Sequence, residues 1–171
     1  MARAPLPSAE EVRQLPALLK AAVVPEWIDV NGHMNVRHYL ELCAAGTSIV
    51  CYDTIGIDDA YRAERRMGVF TAEHHLMYFS ELHVGEELSV HVRVLERSDK
   101  VVHMIGLLVD DTHDRLANAL EVTLVHVDMD ARTSVPMPQD IAAGFDRQIS
   151  VSAALDWEPP LCGAMGVGRR G

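Results

Sequence analysis

Asn35-Val36-Arg37-His38-Tyr39-Leu40-Glu41-Leu42-Cys43-Ala44-Ala45-Gly46-Thr47-Ser48-Ile49-Val50-Cys51-Tyr52-Asp53-Thr54-Ile55-Gly56 is the one long helix-like run in this chain. Asn35 is an N-cap residue type and Gly56 a C-terminal stop, which bounds a helix over residues 36–55. Its apolar residues do not keep to one stripe. Tyr39, Leu42, Cys43, Gly46, Ile49, Val50 and Ile55 cover one part of the surface, and Leu40, Ala44, Ala45, Cys51 and Tyr52 fill much of the rest. A helix that is apolar over most of its circumference is a buried one. Something in the chain must wrap it.

The wrapping material follows. Four strand-like runs are predicted over residues 69–78, 86–97, 100–109 and 116–129, with Ser98-Asp99 and residues 110–114 as hairpin turns. In the second run Leu88, Val90, Val92 and Val94 alternate with Ser89, His91 and Arg93, the period of a half-buried strand. Upstream, residues 18–27 read as a strand with Pro25 near its end. Ser8 and Glu11 have capping-box spacing for a short helix that ends at Pro16. Residues 56–68 form a charged connector with room for a helical turn. The fold class expected is α+β: one antiparallel sheet curled around one long central helix. The divisions expected are an N-terminal extension over 1–17, one domain over 18–145, and a peripheral tail over 146–171.

Composition narrows the function. The 171 residues carry 15 Lys and Arg against 25 Asp and Glu, a net charge of -10, with 49% apolar residues. That argues against nucleic acid as a partner, since phosphates need clustered basic residues. Only Lys20 and Lys100 are lysines, so an anion site would lean on arginine: Arg62, Arg65 and Arg66, or Arg93 and Arg97 with Lys100. Cys43, Cys51 and Cys162 have no metal spacing, and an odd count of thiols fits a reducing compartment. No signal-like or membrane-spanning run is read, so a cytoplasmic location is expected.

The chemistry is carried just ahead of the helix, in Trp27-Ile28-Asp29-Val30-Asn31-Gly32-His33-Met34-Asn35. Asp29, Asn31 and His33 alternate, so an extended segment would present them on one face. The segment then enters the helix N-terminus, where amides lack intrahelical acceptors and favour a polarised oxygen. Gly32 permits close approach. An acyl-transfer site needs this combination: amides near His33, Met34 and Asn35 for the oxygen, Asp29 as base or nucleophile, and Asn31 to orient water.

The string Asp29-Val30-Asn31-Gly32-His33-Met34-Asn35, with Tyr39 four positions later, resembles the hotdog-fold acyl-thioester hydrolases of the 4-hydroxybenzoyl-CoA thioesterase type. The resemblance spans about residues 23–127. It implies that Asp29 is the catalytic aspartate. The Asp-x-Asn-x-His form also resembles plant acyl-carrier-protein thioesterases, which implies catalytic roles for Asp29, Asn31 and His33 and a strand glutamate, for which Glu73 is the counterpart. The Pro25-Glu26-Trp27-Ile28-Asp29 approach and the His126-Val127-Asp128 end resemble betainyl-CoA thioesterases of carnitine catabolism. The function implied is hydrolysis of an acyl-CoA, betainyl-CoA to betaine among them, with no cofactor beyond the coenzyme A of the substrate. A homodimer with sheets joined edge to edge is implied, a tetramer being a further arrangement of it, with Glu73 supplied across the interface.

Plainer roles stand beside these. Asp29 can cap a turn, Asn35 the helix, and Glu73 can be an ion-pair partner at an interface. Trp27 and Tyr78, like Tyr52 and Phe70, are either core or the lining of an acyl pocket suited to a trimethylammonium group. Nine histidines do not make a metal site. His74 and His75 face opposite ways in a strand. A two-residue turn at Ser98-Asp99 would pair Val94 with His103 and His91 with Gly106, leaving His91 and His103 on different faces. Two rival functions remain: a hydratase or dehydratase of acyl thioesters on the same fold, and a non-catalytic module that binds acyl-CoA.

Overall fold

The computed structural model describes residues 5–168. The helix expected to be buried is the centre of the molecule. α2 runs Val36–Ile49, and Val50–Ile55 continues it in wider π turns until Gly56, at φ 88°, stops it. The Asn35 carboxamide caps it by accepting the Arg37 amide at 3.1 Å. Around it lies one antiparallel sheet of β1 (Leu19–Ala22), β2 (Met67–Tyr78), β3 (Glu87–Arg97), β4 (Val101–Asp110), β5 (Arg115–Asp128) and the short β6 (Thr133–Ser134). The order is β1-β3-β4-β5-β2, with β6 beside the end of β5. This is the hotdog arrangement. Among the described residues no single helix is long and apolar enough to cross a membrane.

Alternation along the strands sorts their side chains onto two faces. Leu88, Val90, Val92 and Val94 of β3 face α2, together with Met104, Leu108, Leu120, Val122 and Leu124. Helix and sheet approach closely at two glycines. A Cβ on Gly46 would lie 2.6 Å from Val90 Cγ1, and one on Gly106 would lie 3.2 Å from the Cys43 carbonyl oxygen. Gly46→Val should therefore cost about 1–3 kcal/mol by overpacking, read as a lowered thermal midpoint of several degrees.

The opposite face is also covered. α1 (Ala9–Val12), with the Ser8–Glu11 capping box formed, packs with Leu15 and Trp157 on Ile105, Leu107, Val109 and Ala119. Arg93, buried on this face, donates to the Trp157 and Ser152 carbonyls at 2.6 and 2.8 Å, and its guanidinium lies 4.6 Å from the Trp157 ring. Burial pulls its pKa down.

Several sequence expectations change here. The segment 18–27 holds only the four residues of β1 followed by a tight turn at Pro25–Trp27. The connector contains α3 (Asp59–Arg65), capped by Asp58. The division at 145/146 falls inside α4 (Gln139–Ala153), whose Ile141 and Phe145 belong to the main core. Trp157 beyond it is buried too, against the outer face of the sheet. The β3–β4 register also differs, because a bulge at Leu95 shifts it. Val94 pairs with Met104 and His91 with Leu107. His91 and His103 therefore share the outer face. What separates them is four residues of strand, about 13 Å.

Candidate active site

The motif ahead of α2 folds as a tight turn rather than an extended strand. The Asp29 amide donates to the His33 carbonyl and the Gly32 amide to the Asp29 carbonyl, each at 3.0 Å, and Ile28 bridges Met34. Gly32 sits at φ 83°, the left-handed region that glycine tolerates without strain. The Asp29 carboxylate accepts the Asn31 amide on Oδ1 at 2.8 Å. So Asp29 does organise a turn, and its Oδ2 is left without a hydrogen bond among the described residues. Val30, Asn31 and Gly32 form the exposed tip, where the Asn31 side chain makes no hydrogen bond among the described residues.

Two neighbouring segments fix this turn. The Asn35 amide donates to the Trp27 carbonyl at 2.8 Å and the Met34 amide to the Leu82 carbonyl at 2.7 Å. His83 Nδ1 lies 3.3 Å from the Gly32 carbonyl oxygen, and the His83 amide donates to Glu86 Oε2. The loop after β2 is thus part of the site, which the sequence did not signal. Its residues have no periodic pattern, and only pairing of β2 with β5 carries it back to the motif.

A cleft of about 300 Å³ opens beside the turn, walled by His33, Val36, Tyr39, Tyr78, Ser80 and Glu81 among others. Val36 is the first residue of α2, where the amide has no intrahelical acceptor. Tyr39 and Tyr78 meet edge to face, with centroids 5.4 Å apart and planes at 83°. The Tyr39 hydroxyl donates to the Ser80 carbonyl. Burial, with the negative fields of Glu81 and Glu86 behind it, pushes its pKa up to about 12.

The structure brings Trp27, Asp29, Asn31, Gly32, His33, Met34 and Asn35 together, and sets Tyr78 in the cleft wall beside His33 and Met34. The Trp27 ring stacks on His38, centroids 5.0 Å apart. Met34 is fully buried, its amide tied to the loop after β2. Glu73 is not in this group within the chain. It follows a bulge at Ala72 and pairs with Thr123, which puts it on the face away from α2. His74 faces α2 instead, and partial burial lowers its pKa. Phe70 to His75 are exposed throughout, along the unpaired edge of β2.

Two other clusters have structural explanations. Glu86, Asp110 and His113 come together at the β4–β5 hairpin. Asp110 there accepts the Thr112 and His113 amides on Oδ1, and His113 and Arg115 on Oδ2. Its lone pairs are thus occupied by the hairpin itself. Cys43 and Cys51 are buried, which pushes both thiols up to about 12. At pH 8 only about one in 10⁴ of such thiols is the reactive thiolate. A thiol reagent should therefore modify only Cys162 in the folded protein and all three cysteines in denaturant; fast labelling of Cys43 under native conditions would contradict this.

Comparison with known proteins agrees with the geometry. Residues 23–145 match the thioesterase-like superfamily. A betainyl-CoA thioesterase of Pseudomonas aeruginosa is 28% identical over 133 residues, covering 78% of this chain and 83% of that protein. An L-carnitine dehydrogenase/betainyl-CoA thioesterase of Rhizobium meliloti is 31% identical over 139 residues, 81% of this chain but only 28% of the relative. The chain thus spans a little over a quarter of such fused relatives. Among solved structures, a Staphylococcus aureus hypothetical protein in complex with CoA superposes with a TM-score of 0.79 at 21% identity, covering 90% of this chain and 96% of that one. A Thermus thermophilus thioesterase complexed with coenzyme A and Zn gives 0.64 at 19% identity, covering 77% and 98%. The turn ahead of a buried helix and the match over most of the chain lead to one conclusion: this chain belongs to the thioesterase-like superfamily.

Proposed function

We propose that the chain is an acyl-CoA thioesterase, and that betainyl-CoA, hydrolysed to betaine and CoA, is its substrate. The observation that carries the hydrolase reading is the Asp29 carboxylate. One oxygen is fixed by the Asn31 amide and the other has no hydrogen bond among the described residues, on a turn that leads into the N-terminus of a buried helix. The substrate reading is supported by the names of the relatives at about 30% identity.

In the reaction, water attacks the thioester carbonyl carbon and Asp29 Oδ2 takes its proton. Asn31, at the exposed tip, orients that water. The carbonyl oxygen, negative in the tetrahedral intermediate, is stabilised by the amides at the start of α2, with His33 beside it. The carbon–sulfur bond then breaks, CoA leaves as the thiolate and takes up a proton, and the free acid departs. Glu73, on the other face of β2, is assigned no proton transfer within its own chain.

The functional unit is a homodimer joined through β2. That strand is long and unpaired along one edge, a surface proteins rarely leave bare, while α1 and the segment at Trp157 cover the outer sheet face. Three free cysteines, two of them buried, suit a reducing, cytoplasmic setting.

The test is thiol release by the wild-type protein from a panel of acyl-CoAs that includes betainyl-CoA. Release from betainyl-CoA above the other thioesters is expected. Conversion of an enoyl-CoA with the thioester intact would favour the hydratase reading. Tight acyl-CoA binding without turnover would favour a binding module.

A further inference from the structure

We propose that Glu81, with the rings of Tyr39 and Tyr78, determines acyl specificity by selecting an acyl group that carries a compact positive charge, such as trimethylammonium. The inference rests on the thioesterase reading above. It starts from the charge pattern of the cleft beside the motif. No lysine or arginine lines this cleft among the described residues, and Glu81 is the one permanently charged side chain in its wall. The negative field of Glu81 adds to burial in raising the pKa of the buried Tyr39 phenol.

The aromatic groups are arranged to match. Tyr39 and Tyr78 stand at 83° to each other, which makes a corner of the cleft from two rings. Tyr39 is buried and held by the Ser80 carbonyl, while Tyr78 is 47% exposed and open to a ligand. Ring faces attract a quaternary ammonium group, and a carboxylate nearby adds to that attraction. Val36, which begins α2, lies in the same wall, and there the helix dipole favours a negative oxygen. The cleft thus combines a place for a negative oxygen with rings and a carboxylate that suit a cation. A thioester with its carbonyl at the start of α2 and a cation against Tyr78 and Glu81 meets matching charge at each. A neutral acyl chain forgoes that attraction and leaves the Glu81 carboxylate to solvent and to His83 Nε2, 3.9 Å away.

The experiment compares kcat/KM for betainyl-CoA with that for 3,3-dimethylbutanoyl-CoA. The second has the same shape, with a carbon in place of the charged nitrogen. The wild type is expected to favour the cation, and Glu81→Gln to reduce that ratio about tenfold. Tyr78→Leu should reduce it as well, and Glu81→Asp should restore part of it. Glu81 is largely exposed, so Glu81→Gln should fold normally. A wild type that hydrolyses both thioesters without discrimination overturns the inference and leaves the hydrolase reading standing. So does an unchanged ratio in Glu81→Gln. If no thioester is hydrolysed, the hydrolase reading fails. Equilibrium binding of the same two CoA esters then decides the inference: a cation preference lost in Glu81→Gln upholds it, and equal binding overturns it.

Discussion

Asp29→Ala should lower kcat/KM for thioester hydrolysis by about 10²–10⁴-fold, the range for loss of a general base, with secondary structure retained. The size follows from where the carboxylate sits. Asp29 closes its turn mainly through backbone groups, its amide to His33 and its carbonyl to Gly32, and those bonds survive the substitution. The side chain adds one bond, to the Asn31 amide on the exposed tip, so the structural loss should stay near the 0.5–2 kcal/mol of a lost cap. A large fall in rate with a small fall in stability separates a catalytic carboxylate from a turn former. A drop of less than about tenfold for Asp29→Ala would remove Asp29 from the chemistry.

Phe145→Ala should destabilise the protein by about 3–5 kcal/mol, as expected for a large aromatic side chain removed from a packed core. Phe145 has no exposed surface, and it packs in the cluster that holds Val50, Ile55, Val94 and Met104. Its neighbour Gly144 brings α4 close to Ile55, where an added Cβ would lie 3.5 Å from the isoleucine side chain. For a chain of this length the loss corresponds to a thermal midpoint lower by about 10 °C. A loss within about 0.5 kcal/mol, the range of a surface substitution, would place Phe145 outside the core. Thermal or denaturant unfolding of the variant decides.

The central helix was legible because its apolarity covers most of its circumference and its caps, Asn35 and Gly56, are both residues with a local mechanism. The faces of β3 were legible because Leu88 to Val94 alternate without interruption. α4 was not. Its core face is made by Ile141, Phe145 and Ile149 with the small Ala142 and Gly144 between them, a thin stripe, and Pro136 and Pro138 before it resemble the start of a loop. The β3–β4 register was misread because a bulge at Leu95 leaves no mark in a run that stays β-compatible throughout. In the site, Asp29, Asn31, Gly32, His33 and Asn35 are contiguous, so their sequence alone announced them. Glu81, Leu82 and His83 reach the same turn only because β2 pairs with β5, a tertiary consequence that no short window of sequence contains. The face of Glu73 was hidden for the same kind of reason, since the bulge at Ala72 reverses the alternation just before it.

The most direct test of the mechanism is a single turnover with enzyme in excess over betainyl-CoA in water enriched in oxygen-18. With Asp29 as general base, the released acid carries the label after that one turnover, one CoA thiol appears per acid, and the peptide containing Asp29 stays unlabelled. Label in Asp29 with an unlabelled acid would mean direct attack by the carboxylate. Recovery of intact thioester, here and with every other acyl-CoA of the panel, would contradict the hydrolase reading altogether.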